Sequence, residues 1–378
     1  MSNRQIKVTF KTLTPLWTGD AWGECDELKL TGLIGSLRWW FEVLVRGMGY
    51  KACDSTGDNK CQSKRQSEIK SPEDVLDIYR KICPVCYLFG TTGWKSRFQV
   101  KIEDNKLEGI NKFEVRTRSN KHKVKEKNEY LSRYCNGLFG SFTLIFSFLS
   151  DVPDKYICLF VKLLKLLSNY GMIGAKISQG NGVCSIKIES ESFDVNTCLD
   201  KDFSTIELSK TEKQKNCSDC PKLSNFKFLK INLSFNNKMN LRHIWRKDSN
   251  DPKKLNNFDG DINDLWNNKK FLPISFHIRD LLRDLWKSNK YLRHVLMGER
   301  GKGARIFVSH GYQVGKNQIE LRIIGYDIKD EQWENIKDSL TVKQLNRIFW
   351  FNEKDYISNV TLIEEIAGQN LILGGKSS

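Results

Sequence analysis

Ile6 to Leu13 alternates apolar and polar side chains, the period of a strand with one buried face, and Pro15 stops it. Trp17–Gly23 then reads as a turn-rich loop. From Thr31 to Arg46 the period changes: Leu33, Leu37, Trp40, Phe41 and Leu44 recur at helical spacing, with Thr31 placed to cap the N-terminus. After the glycines of Leu88–Ile102 comes a second strand. A third spans Leu138–Phe148, a second helix Tyr156–Tyr170, and a strand Val183–Glu189 closes the set. Strand, helix, strand, strand, helix, strand is the order of a ferredoxin-like unit. A weaker echo begins with a strand at Phe226–Phe235 and a helix at Ile274–Leu285. Strands at Ala304–Ser309 and Gln318–Tyr326 and a helix at Gln332–Ile348 continue it. The expected fold class is α+β: two ferredoxin-like (RRM-like) βαββαβ domains with insertions. Residues 1–190 form the first domain, residues 191–225 a polar linker or excursion, and residues 226–378 a second, divergent domain.

Between the periodic stretches the composition shifts. From Tyr50 to Arg80 it turns polar and charged, and Cys83-Pro-Val-Cys86 follows at once, so residues 50–87 read as a cysteine-containing insertion on the first domain. A CxxC pair holds two thiolates at the separation tetrahedral zinc requires, and Cys53 and Cys61 would complete four ligands. A segment with so little to bury gains stability from a metal. The same four cysteines also fit reduced structural thiols or, with less support, redox chemistry. Cys217-Ser-Asp-Cys220 is a second pair, which needs Cys184 or Cys198 to make a site. The chain has eleven cysteines and no apolar leader at its N-terminus, which argues for thiols or metal, not a disulfide scaffold. Asp248–Lys270 is polar enough to be an exposed loop.

Charge then narrows the partner. Lys plus Arg number 61 against 45 acidic residues, a net charge of +16 and a pI near 9.2. That favours nucleic acid over a small anionic metabolite. Asn111–Arg133 is rich in basic residues, and its core holds Arg116, Arg118, Lys121, Lys123 and Lys125 with almost nothing to bury, so it reads as a mobile loop that tracks phosphates. The Gly171–Gly182 loop brings Gly171, Gly174, Gly180 and Gly182 around Lys176, where bare backbone N–H groups suit phosphate, though the same glycines also fit a plain connection with no ligand. It lacks the Gly-Lys-Ser/Thr of a P-loop and follows a helix, so it is not a nucleotide fingerprint. Gly32, Gly35 and Ser36 leave one side of the first helix bare, for close packing or for an RNA backbone, and Arg38 beside them can fork onto a phosphate or pair with Glu42 one turn away and face another protein subunit. Trp39 suits either core or base stacking. Arg242 and Arg246, and the Gly/basic run with Arg300, Lys302 and Arg305, are further RNA candidates. The five histidines make no metal-protease pairing and no nucleophile elbow occurs. His122 in the basic loop is the one candidate for a metal-independent endoribonuclease. No apolar span reaches membrane length, so the expectation is a cytoplasmic protein without a membrane partner.

Thr14-Pro-Leu-Trp-Thr-Gly19, Leu30-Thr-Gly-Leu-Ile-Gly-Ser-Leu-Arg-Trp-Trp-Phe-Glu42, Cys83-Pro-Val-Cys-Tyr-Leu-Phe-Gly90 and the Gly171–Gly182 loop, in this order, resemble the first-subunit family of the Cmr complex. This is the type III-B CRISPR effector, built largely from the RAMP superfamily. The resemblance covers the first 190 residues well and the remainder loosely. It implies a non-catalytic RNA-binding subunit near the crRNA 3′ region that helps to engage target RNA, beside other RAMP subunits. Target cutting would belong to the repeated backbone subunit. Arg38 stands in the family's Arg-Trp-Trp motif. The family's glycine loop often carries arginines where this chain has Lys176, Ile177, Ser178 and Gln179, a departure that shifts weight to Lys176 and the backbone. A purely protein-contacting subunit is the third reading.

Overall fold

The computed structural model describes residues 4–20, 22–55, 57, 60–61, 71, 73, 81–118, 130–208, 217, 220–236, 261–299, 303–349 and 356–373. Of Arg116, Arg118 and residues 130–132 it describes the backbone alone. The fold is mixed α+β with two antiparallel sheets. Strand β1 (Arg4–Thr12) leads to helix α1 (Leu30–Gly47) and the short α2 (Pro84–Phe89). A long hairpin follows, β2 (Phe98–Arg118) and β3 (Tyr130–Phe148), then α3 (Asp154–Asn169), β4 (Cys184–Glu189) and α4 (Val195–Asp200). The first sheet has the order β2-β3-β1-β4. Ile6, Val8 and Phe10 alternate inward along β1 as the sequence pattern demands, and Phe10 stacks on its register partner Phe142 at 4.8 Å. Ile157, Phe160, Val161 and Leu164 of α3 are fully buried, with Phe160 5.0 Å from Phe146. Each such side chain contributes roughly 1.5–3 kcal/mol by leaving water.

The second sheet is built from β5 (Phe226–Phe235), β6 (Phe271–Leu272), β7 (Ile306–Val308), β8 (Gly311–Gly315), β9 (Gln318–Tyr326) and β10 (Ile357–Ala367). Its order is β10-β5-β9-β8-β6, with β7 also on β9. The described helices of this half are α5 (Ser275–Leu285), α6 (Lys290–Met297), α7 (Asp330–Ser339), α8 (Val342–Ile348) and α9 (Gly368–Leu373). No helix among the described residues is long and apolar enough to cross a membrane.

Several expectations change. The basic segment from Asn111 is not wholly loop: β2 stays paired out to Arg118 opposite Tyr130. Ile110, Phe113, Val115 and Thr117 are buried, because the hairpin reaches α5 of the other half, where Arg133 meets Asp280 at 3.2 Å. Strand β10 escaped the pattern because two register shifts break its alternation. Helix α1 begins at Leu30 and its N-cap is Lys29, without a side-chain cap, so Thr31 does not cap it. Residues 191–225 include packed material, since α4 is tied to α3 by a Cys158–Cys198 disulfide. Cys217 and Cys220 also pair. These two bonds correct the expectation of thiols throughout. Cys198 is thereby committed elsewhere and Cys184 is buried in β4, so neither joins Cys217 and Cys220 in a metal site. Asp264–Asn268, expected as exposed loop, forms a π-helical turn with Leu265 buried.

His310, between β7 and β8, sits at the seam between the halves. Its backbone N–H donates to Gly180 O at 2.9 Å, its Nδ1 accepts from the Ser275 N–H at 3.4 Å, and Nε2 lies 3.4 Å from Cys135 Sγ. Complete burial, with a smaller push from His277, lowers its pKa to about 3. A depressed histidine stabilises the fold fully above the unfolded value near 6.5, and that contribution is lost as acid protonates the unfolded chain. Denaturant titrations should therefore show about 2 kcal/mol less stability at pH 5 than at pH 7.5 from this residue alone. His310→Gln should flatten that slope, and an unchanged slope would contradict the assignment.

Candidate functional site

Three motifs far apart in sequence form one hydrogen-bonded knot. Thr14–Gly19 runs against the glycine loop: Gly182 N donates to Pro15 O at 2.8 Å and Ala175 N to Trp17 O at 2.7 Å. From α1, Ser36 Oγ accepts the Gly174 N–H at 2.9 Å. Gly32 lies so close to the same strand end that a Cβ would stand 2.4 Å from Thr18 O. The small residues on α1 thus serve close packing at Gly32 and Ser36, whereas Gly35 is exposed, and a Cβ there would meet nothing within 4 Å. Gly174 has φ +83 and a Cβ there would meet Trp17 O at 2.5 Å.

The far end of the loop is gripped by the second half. Gly180 has φ +105, and a Cβ would fall 2.3 Å from Ser275 Oγ and 2.8 Å from His310 Nδ1. Ser275 Oγ donates to Gln179 O at 2.6 Å. Gly171 is buried, and its carbonyl accepts from Arg322 Nη1 at 2.9 Å. The glycines are therefore demanded first by protein contacts. Lys176 remains at the surface in the left-handed region, φ 54. Its ammonium lies 3.0 Å from the centre of the Trp17 ring, a cation–π contact that aims it. Burial lowers the Lys176 pKa, Cys25 and Glu24 oppose this, and the nearby cation of Lys112 adds to the lowering. Lys112, on β2, rests 4.3 Å from the Tyr134 ring centre. Lys176 and Lys112 are close enough to act on each other, so the two cations form a small positive patch.

The cysteine site forms as expected from the residues. Sγ atoms of Cys53, Cys61, Cys83 and Cys86 all lie within 4.8 Å of one another and all four residues are buried. Cys53 and Cys86 sulfurs are 3.4 Å apart, and Cys83 and Cys53 sulfurs 3.9 Å. Four sulfurs about 2.3 Å from one ion at tetrahedral corners would lie about 3.8 Å apart, so the set fits a metal ion. Backbone N–H groups already point at sulfur, Cys83 N to Cys61 at 3.3 Å and Cys86 N to Cys83 at 3.4 Å. Such outer contacts orient thiolate ligands. Hydrogen bonding with Cys53, Cys61 and Cys83, reinforced by burial, pushes the Cys86 thiol up, so a cation is what would let all four ionise together.

Arg38 belongs to this site. Its Nη2 donates to Cys86 Sγ at 3.1 Å, its Nη1 to Gly90 O at 2.7 Å, and its Nε to Glu42 at 3.2 Å. The forked phosphate contact expected of it is replaced by contacts within the protein. One turn on, Arg46 bonds Glu42 at 3.2 Å and Cys53 O at 2.7 Å. Burial raises the Glu42 pKa against the opposing pull of Arg46 and Arg38. The stripe Arg38, Glu42, Arg46 at four-residue steps ties both cysteine-bearing segments to α1. The Arg38–Glu42 pair was visible in the sequence as the alternative to a phosphate contact, but Cys86, Gly90 and Cys53 O as partners were not. Asp54 also groups with Cys217 and Cys220.

Other candidates scatter. Trp39 makes edge contact with Trp40 at 4.9 Å and with Phe226 at 6.4 Å, in an aromatic cluster joining α1 to β5. Arg116 and Arg118 lie on β2. Arg305 enters β7 and bonds Asp327 O at 3.3 Å. Lys121, His122, Lys123, Lys125, Arg242, Arg246, Arg300 and Lys302 lie outside the described residues.

No curated protein matches the sequence. Among solved structures, the chain is similar to one from the type III-B Cmr-beta complex bound to cognate target RNA and AMPPnP. That pair shares 10% identity, covers 90% of this chain and 99% of the other, and has a TM-score of 0.40. It is also similar to apo Cmr1 from Pyrococcus furiosus, at 14% identity over 95% of this chain and 98% of that one, TM-score 0.38. A chain of a type IV-B CRISPR complex is similar at 12% identity over 50% of this chain and 92% of its own length, TM-score 0.34. The family model described as the RAMP superfamily matches residues 9–185, a span that holds the knot, the cysteine site and the paired strands β2 and β3.

Proposed function

We propose that the chain is a non-catalytic RNA-binding subunit of a type III-B CRISPR (Cmr) ribonucleoprotein in antiviral defence. It would contact the crRNA 3′ region, target RNA or both, next to other RAMP subunits in the cytoplasm. The observation that carries this reading is the RAMP match over residues 9–185, which spans all four motifs resembling the first Cmr subunit. Each sheet is read as a ferredoxin-like domain, because the orders β2-β3-β1-β4 and β10-β5-β9-β8 place corresponding strands alike. The metal of the four cysteines is zinc, whose preference for four thiolates in a closed site suits a structural role. Lys176 and Lys112 supply phosphate contacts, and Arg38 acts by holding the short helix α2 that carries Cys86.

Phosphate-led binding has a salt signature. Filter binding of single-stranded RNA should weaken with salt, log affinity falling by about 0.7 per neutralised phosphate for each unit of log salt. Lys176→Ala and Lys112→Ala should each make that slope shallower, similarly for different RNA sequences. Labelled RNA should stay intact with the chain whether magnesium or EDTA is present. A flat salt response would remove the RNA-binding reading, and cleavage would remove the non-catalytic one.

A further inference from the structure

A second surface, in the other half of the molecule, has the chemistry of a nucleotide pocket. An open hollow of about 620 Å³ lies between α6, the approach to β7 and the end of β9. Pockets for small ligands span about 300–1,000 Å³. Tyr291 and His294 present rings from one face of α6, being three residues apart. Tyr326 lines the hollow from β9, and Lys290 and Arg305 bring positive charge.

The rings differ in a useful way. Tyr326 is held, stacked on Phe226 at 5.2 Å, and Phe226 in turn packs on Trp40 at 5.6 Å. Tyr291 is 81% exposed, far beyond what a structural tyrosine needs. It stands on a helix whose N-cap is secured by Asn289, so its position is fixed while its ring is open to a ligand. The acidic lining residue, Glu299, has its carboxylate engaged by His294 Nδ1 at 2.5 Å. Lys290 and Arg305 outnumber it, so the lining is positive on balance. Aromatic faces beside two cations match a base and its phosphate, and they do not match a cationic or purely apolar ligand.

We infer that this hollow binds one unpaired nucleotide of a single-stranded RNA, its base against Tyr291 and Tyr326 and its phosphate toward Lys290 and Arg305. The inference rests on the RNA-binding reading above and adds to it a site in the second half. A base inside a duplex hides its faces, so the hollow selects single strands.

The full chain is tested with a short oligouridine carrying photoreactive thiouridine, with an RNA duplex, and with adenosine monophosphate alone. Tyr291→Ala should weaken oligouridine binding roughly 5- to 100-fold, leave duplex binding unchanged, and leave the salt slope as in the wild type. Lys290→Ala should instead reduce that slope. Crosslinks should map to peptides containing Tyr291 or Tyr326. If the wild type binds oligouridine and Tyr291→Ala binds equally, with crosslinks elsewhere, the pocket is overturned while RNA binding stands. If no RNA binds but adenosine monophosphate does, and Tyr291→Ala loses it, the hollow is a free-nucleotide site, and both the RNA-strand assignment and the RNA-binding reading fall. Binding of neither probe overturns both.

Discussion

Freshly purified chain is expected to carry about one zinc per molecule, and Cys83→Ser to lose it together with much of the stability of the half that holds it. Cys83 does three things in the site. It supplies one of the four buried sulfurs, accepts the Cys86 N–H as N-cap of α2, and donates its own N–H to Cys61. A serine oxygen keeps the cap but is a poor fourth ligand in an all-thiolate site. Apparent binding energies of structural zinc reach about 10–16 kcal/mol, and the stabilisation that a ligand confers on the folded state scales with its affinity. The loss should thus fall among the largest single-residue effects, roughly 4 kcal/mol or more. Metal analysis gives the stoichiometry, and thermal unfolding with and without a strong chelator gives the stability. A metal-free preparation that unfolds no lower than a zinc-supplemented one would defeat the prediction. A count near two zinc per chain would direct attention to Asp54, Cys217 and Cys220 in their reduced state.

Arg322→Ala should cost roughly 3–5 kcal/mol and loosen the two halves from each other. Arg322 extends from β9 of the second sheet and is 5% exposed. Its guanidinium donates to Ser168 O at 2.8 Å, Gly171 O at 2.9 Å and Leu167 O at 3.3 Å. These carbonyls close α3, whose last turn carries no basic residue of its own. The second half therefore supplies the cation that the helix end lacks. Tyr312 holds the guanidinium in place, its OH accepting from Arg322 Nε at 3.2 Å. Removing the side chain takes the guanidinium away from the Ser168 and Gly171 carbonyls, while Leu167 O keeps the Gly171 N–H at 3.0 Å; lysine would restore little, since a single ammonium cannot span the same fork. Denaturant unfolding should shift to lower midpoint, and limited proteolysis should speed up at the seam. A midpoint within experimental error of the wild type would refute the role.

The first sheet was legible because its core is written in short-range periodicity. Ile6, Val8 and Phe10 in β1, and Leu33, Leu37, Trp40, Phe41 and Leu44 in α1, are buried as their spacing requires. The four cysteines were legible as a candidate group, since a CxxC pair with two more thiols in so polar a stretch suits a metal, and the fold does gather their sulfurs within 4.8 Å. The outer hairpin was not. Phe113, Val115 and Thr117 alternate with charged residues, and what they bury against is α5, far along the chain. Strand β10 was missed because its bulges disturb the period by which strands are recognised.

Arg38 and the glycine loop mark the boundary. From sequence, an arginine beside a bare helix face and four glycines beside a lysine both suggest a grip on phosphate. Local patterning specified that these residues would stand on a helix and in a turn, and composition specified a basic, metal-capable α+β chain. Which partner each group meets was decided by tertiary structure alone. Arg38 turns to Cys86 and Gly90, Gly180 is pressed on Ser275 and His310, and Lys176 is left at the surface over Trp17. A hydrogen-bond donor is satisfied by whatever acceptor the fold brings within about 3 Å, and the acceptors lie on segments distant in sequence, so local sequence fixes the donor's chemistry and long-range packing chooses its partner.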